Sequence, residues 1–218
     1  VTKKKETKNP PLLYNLAELQ NDCAKMFKIS PDETLAIAQE LYEKKLTTYP
    51  RTDARVLSTA VSKEIEKNIR GIASYAPVAP QAQEILSTGS FRSIAKTRYV
   101  DDKKIADHYA IIPTGQGQRE YQSLKPLSKK VYELICRRFL SIFFPPAIYE
   151  RIALTIDCQG ETFSVSSRAL KDEGYLKVAD LRRSAALGGA SPAADPVNAD
   201  TGSSMASTMA TTASASHM

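Results

Sequence analysis

The sequence predicts a mainly α fold with a small β part, an α+β chain, from three observations. Apolar residues recur at helical spacing in several separate stretches, one of them opened by a capping box. Two runs near residue 160 instead alternate with period two and are joined by Gln159-Gly160. The chain has 218 residues and 42% hydrophobic residues, enough to bury a core.

The elements are read in chain order. Val1 to Lys8 is basic and extended, closed by Pro10-Pro11, and its Lys3-Lys4-Lys5 run reads as a solvated tether rather than a binding site. A helical pattern covers about Leu16 to Phe27. Ser30-Pro31-Asp32-Glu33 places serine at the N-cap, proline at N1 and glutamate at N3. Behind it Leu35, Ala38, Leu41 and Tyr42 keep helical spacing until about Lys45. Thr47-Thr48-Tyr49 then reads as extended, because Pro50 disfavours the α region at Tyr49.

An amphipathic helix follows over roughly Thr59 to Arg70, with Val61, Ile65 and Ile69 on one face. Glycine and proline break the pattern from Gly71 to Pro126, apart from a short helix near Gln81 to Leu86. A long helix after Ser128 carries Val131, Ile135, Phe139 and Ile142 and stops before Pro145-Pro146. Tyr149 to Asp157 and Thr162 to Ser167 form a hairpin. Residues 181–218 are mostly small, with no aromatic side chain, and cannot bury enough surface to offset ordering entropy. They are expected to be a disordered low-complexity tail.

Charge and cysteine usage narrow the function classes. The net charge of +6 suits a polyanionic partner, and all of it lies before Leu181, since Arg182 and Arg183 balance Asp195 and Asp200. Cys23, Cys136 and Cys158 are far apart, which argues against a zinc ribbon or disulfide framework and suits a reducing compartment. No apolar run approaches the roughly 20 residues of a membrane span. The expectation is a cytoplasmic, nucleoid-associated protein with no membrane partner.

Tyr49 stands in Thr48-Tyr49-Pro50-Arg51-Thr52-Asp53. In an extended segment Tyr49, Arg51 and Asp53 share one face. A phenol there can attack a phosphodiester while a guanidinium forks onto the non-bridging oxygens. With a pKa of about 10, a free phenol is only ~0.1% ionised at pH 7, so nearby positive charge or a base must help. Read alone, the same tripeptide spacing is ordinary, a tyrosine packed under a loop beside a surface ion pair.

The surroundings decide between these. Pro10-Pro11-Leu12-Leu13-Tyr14-Asn15-Leu16, Leu19-Gln20, Leu41-Tyr42-Glu43 and the Tyr49 hexapeptide occur in an order that resembles the type IA DNA topoisomerases, most closely the topoisomerase III branch. Asp107-His108-Tyr109-Ala110-Ile111-Ile112-Pro113-Thr114 resembles that family's Asp-His-His-Ala-Ile-Ile-Pro-Thr stretch, with Tyr109 replacing the second histidine. Arg137-Arg138-Phe139-Leu140 resembles the long helix that follows it.

The resemblance covers roughly Lys3 to Val178 and implies the following. Tyr49 is the nucleophile that forms a transient 5′-phosphotyrosyl bond with single-stranded DNA, aided by Arg51 and His108. Asp53, Arg55, Arg137 and Arg138 are candidate DNA contacts, although a helix-surface arginine can equally be only solvated. Residues 1–15 are a basic lead-in from a β-rich hinge domain, 16–147 the helical catalytic-tyrosine domain, and 148–180 a hairpin piece of the hinge. The family's Mg²⁺ sits on a separate Toprim domain whose acidic pattern this sequence does not contain, so no metal or cofactor is expected on this chain. Its partners would be single-stranded DNA and the Toprim and remaining domains of a parent enzyme that needs no ATP. The alternative is a non-enzymatic single-stranded-DNA-binding module. A recombinase or relaxase fits less well, since neither the dispersed arginines of the one nor the paired histidines of the other are recognisable.

Overall fold

A computed structural model describes residues 1–179 and Leu181. The tail expected to be disordered lies outside the described residues apart from Leu181, which packs partly buried against the core. The order of elements is β1 (Thr2–Lys8), α1 (Leu16–Phe27), α2 (Pro31–Glu43), α3 (Thr59–Ile72), α4 (Ala79–Thr88), two 3-10 turns (Ser90–Lys96 and Asp102–Lys104), α5 (Gln118–Gln122), α6 (Pro126–Ser141), β2 (Ala147–Cys158), β3 (Glu161–Asp172) and α7 (Leu176–Ala179). This is the α+β composition the sequence predicts.

Helix starts follow local chemistry. Asn15, Ser30 and Ser58 each accept a hydrogen bond from the backbone N–H three residues on, at 2.9, 3.1 and 3.2 Å. Each satisfies one of the donors that a helix N-terminus leaves orphaned. The short helices α5 and α7 and the 3-10 turns escape sequence reading because they are too brief to show a period.

Helix α6 is buried nearly all round, with Val131, Tyr132, Leu134, Ile135, Cys136, Phe139 and Leu140 all in the core. A helix enclosed on every side is central rather than amphipathic. The same core takes in Leu19, Leu41, Ile65, Ile69, Ile72 and Ile85 from α1 to α4, with Leu13, Tyr14 and Leu46 from the segments beside them. Of its two arginines, Arg137 is buried and Arg138 mostly so.

The lysine-rich start is not a tether. It forms β1, antiparallel to β2, with Lys3 opposite Ile152 and Lys5 opposite Glu150. Strand β2 pairs in turn with β3, giving a three-stranded antiparallel sheet in the order β1-β2-β3. Gln159 and Gly160 turn the hairpin at φ of 50° and 86°, the left-handed geometry of a two-residue hairpin loop. On one sheet face Arg168 pairs with Glu6 at 3.1 Å and lies 3.6 Å over the Tyr149 ring. The other face carries Ile152, Leu154, Ile156, Phe163 and Val165, the last two each 61% exposed. Among the described residues no helix is long and apolar enough to cross a membrane.

Candidate active site

The Tyr49 segment is irregular backbone held by two threonines. Thr48 Oγ1 donates to Ala110 O and accepts from Ile112 N–H, both at 3.0 Å, while Thr48 N–H donates to Ile112 O at 3.0 Å. Four residues on, Thr52 Oγ1 donates to His108 O at 2.8 Å and accepts from Ala54 N–H at 3.1 Å. Bridges Thr47–Pro113 and Tyr14–Ile111 complete the attachment. The two motifs are therefore stitched together along their length, and the stitching sets Tyr49 against His108. Their ring centroids are 4.4 Å apart with planes inclined by 41°.

Between the two threonines the chain departs from a uniform strand. Thr52 N–H donates to Pro50 O at 3.0 Å, closing a three-residue turn with Arg51 at its tip. Pro50, Thr52 and Ala54 are buried, whereas Arg51 and Asp53 are exposed and Tyr49 is half-buried. Tyr49 and Arg51 line different cavities. A cavity of about 380 Å³ is lined by Tyr42, Lys45, Thr48, Tyr49, His108, Tyr109 and Gln116, among others. A smaller one of about 190 Å³ is lined by Arg51, Asp53, Lys104, Asp107 and His108, among others. Among the described residues only His108 borders both, so the single face expected for Tyr49, Arg51 and Asp53 is divided between two cavities.

Among the described residues Arg51 makes no ion pair, and its fork is free for an anion. The other candidate arginines are committed elsewhere. Arg137 is 2% exposed and bonds Glu133 at 2.8 Å, Val178 O at 3.0 Å and Pro77 O at 2.8 Å. Arg138 bonds Asp22 at 2.6 Å, Leu12 O at 3.0 Å and the Tyr14 hydroxyl at 3.1 Å. Both guanidiniums are thus engaged within the protein rather than held out to solvent as free phosphate contacts. Arg55 is also engaged, with Glu18 at 3.2 Å and Leu13 O at 3.3 Å. Asp53 lines the smaller cavity and keeps an exposed carboxylate.

Arg138 still serves the site at a distance. Its guanidinium lies 4.0 Å over the Tyr14 ring, whose hydroxyl donates to Asp22 at 2.7 Å. Burial keeps that phenol protonated well above the usual tyrosine range. The Tyr14 backbone carbonyl in turn accepts from Ile111 N–H at 2.8 Å, bracing the stretch that carries His108. Behind the cavity, α3 meets the loop after Thr114 so closely that a Cβ on Gly71 would come 2.2 Å from Gly115 O. Only glycine fits there.

Sequence reasoning missed the two threonines and Tyr42. The threonines had a signal, since they bracket Tyr-Pro-Arg symmetrically and each hydroxyl can bond backbone where no ladder exists.

The family model described as DNA topoisomerase matches residues 1–196. DNA topoisomerase 3 of Bacillus subtilis is 37% identical over 172 residues, covering 78% of this chain and 23% of that protein. DNA topoisomerase 3 of Bacillus licheniformis is 38% identical over 172 residues, with the same coverage. The chain thus spans about a quarter of the length of these curated relatives. In fold it is similar to full-length topoisomerase I from Thermotoga maritima, with a TM-score of 0.56 and 24% identity over 81% of this chain and 28% of that one. With a family match over most of its length and the two stitched motifs at its centre, the chain belongs to the type IA DNA topoisomerases.

Proposed function

We propose that this chain is the tyrosine-bearing part of an enzyme that changes DNA topology by cutting and rejoining one strand. The observation that carries the reading is the Tyr49 ring centroid lying 4.4 Å from that of His108 beside a cavity, with a free Arg51 in the second cavity that His108 borders. Tyr49 Oη gives up its proton to bulk water and attacks phosphorus of a single-stranded phosphodiester. The P–Oη bond forms and the P–O3′ bond breaks, leaving a 5′-phosphotyrosine and a 3′-hydroxyl. Arg51 forks onto the non-bridging oxygens and offsets the charge that develops there. His108, bordering both cavities, contacts the phosphate between them. Rejoining is the reverse transfer, so bond energy is kept in the phosphotyrosine and no ATP is consumed.

The proton for the departing 3′-oxygen is assigned to a Toprim partner elsewhere in the parent enzyme, and so is Mg²⁺, which would supply charge stabilisation there. Among the described residues no cluster of three or more His, Cys, Asp or Glu side chains could hold a metal. The steps assigned to this chain use Tyr49, Arg51 and His108 alone. The complete enzyme would work in the cytoplasm, on the nucleoid.

Tyr49→Phe in the full-length parent protein tests the assignment. It should abolish the covalent adduct trapped on labelled oligonucleotide under denaturing electrophoresis and leave the circular dichroism unchanged. A surviving covalent band would put the nucleophile elsewhere. The 218-residue chain alone should bind single-stranded DNA, with affinity falling as salt rises, yet form no covalent band. A Tyr49-dependent band from this chain alone would mean that its own residues complete the chemistry.

A further inference from the structure

The larger cavity has walls that attack on phosphorus does not require. Tyr42, in the last turn of α2, is 40% exposed, and its ring meets Tyr49 edge-on at 5.4 Å. Tyr109, the residue that departs from the family's histidine, lines the same space half-buried. Its hydroxyl makes no hydrogen bond among the described residues, and burial holds it as a neutral phenol. Lys45 and Gln116 add polar groups at the lining. A volume of about 380 Å³ is in the range that accepts a small planar ligand. The smaller cavity that His108 also borders is charged instead, with Arg51 and Lys104 beside Asp53 and Asp107. Aromatic rings in one cavity beside His108, and the free Arg51 guanidinium in the other, suit a base and its backbone phosphate respectively.

We propose that the aromatic cavity is a nucleobase subsite, in which one unstacked base of the strand held at Tyr49 packs on Tyr42 while its backbone runs along the Arg51 side. The proposal rests on the reading of Tyr49 as the nucleophile for single-stranded DNA. Every base has a π-face, so stacking admits any of them, and Gln116 and Lys45 are placed to bias the choice through edge contacts. Seating a base also removes rotation about the adjoining phosphodiester. The phosphorus is then held where the phenol can reach it. Tyr42 is thus a positioning residue and Tyr109 shapes the pocket it faces.

The chain contains no tryptophan, so Y42W places a single tryptophan, selectively excited at long wavelength, in the cavity of the 218-residue protein. Its emission should be quenched by a short oligothymidylate and unmoved by an abasic oligomer of equal length. By fluorescence anisotropy, Y42A should bind the oligothymidylate about tenfold more weakly than the parent chain. Its affinity for the abasic oligomer should be unchanged, and Y42W should recover the loss. Arg51→Ala, by contrast, should weaken both oligomers. Equal oligothymidylate binding by Y42A and the parent chain would overturn the subsite alone, and would leave Tyr42 as a contact for another protein domain. Binding of neither oligomer by the parent chain would overturn the subsite and the DNA reading together.

Discussion

Two non-helical regions of this chain are held in opposite ways. Around Tyr49 the backbone follows no regular ladder, and side-chain hydroxyls from Thr48 and Thr52 supply bonds that a strand would find in its neighbour. In β2 and β3 the backbone pairs residue for residue from Glu150–Ala169 to Cys158–Glu161, and the side chains of β3 face solvent throughout. A regular ladder holds its shape without particular side chains. Irregular backbone that must set two rings 4.4 Å apart depends on a few named ones. Mutational sensitivity should therefore concentrate at the tyrosine segment and its bracing, and be small on the outer sheet.

The sharpest way to break this contrast lies in the brace. Arg138→Ala strips a charge partner from Asp22 and leaves the Leu12 carbonyl and Tyr14 hydroxyl without its bonds. Urea denaturation should show a loss of about 3 kcal/mol, and DNA cleavage by the full-length protein should fall with it. Thr48→Val keeps the shape and removes the hydroxyl, stranding the buried Ile112 N–H. The same measurement should give about 2 kcal/mol. Phe163→Ser lies on the outer sheet at a position 61% exposed and should change stability by no more than about 0.5 kcal/mol. If Phe163→Ser cost as much as Thr48→Val, the contrast would collapse, and the apolar sheet face would have to be buried in solution.

Much of this contrast could be read from the sequence, and its limits are physical. Helices α1 to α3 announce themselves through caps and period, and the hairpin through alternation and Gln159-Gly160. Tyr49 and His108 are carried by motif, but their contact depends on residues 48–56 lying along residues 108–114, which no local pattern encodes. Arg137 and Arg138 misled for a related reason. The apolar stripe of α6 can be read locally, but the burial of its other positions, Arg137 and Ser141 among them, depends on elements packed around it. Lysines in β1 looked solvated because they are, yet their backbone is paired. Side-chain polarity says little about the ladder beneath it.

The Thr48–Ile112 bond also gives the molecule a built-in gauge. The Ile112 amide is buried and bonded to a side-chain hydroxyl rather than to a carbonyl. Its proton can trade with deuterium only when the tyrosine segment lifts away from the histidine stretch. Ordinary helix amides report the opening of their own helix, whereas this one reports the separation of Tyr49 from His108. Deuterium uptake at this single amide thus measures how often the segment comes apart, in the resting chain and with a strand bound across it.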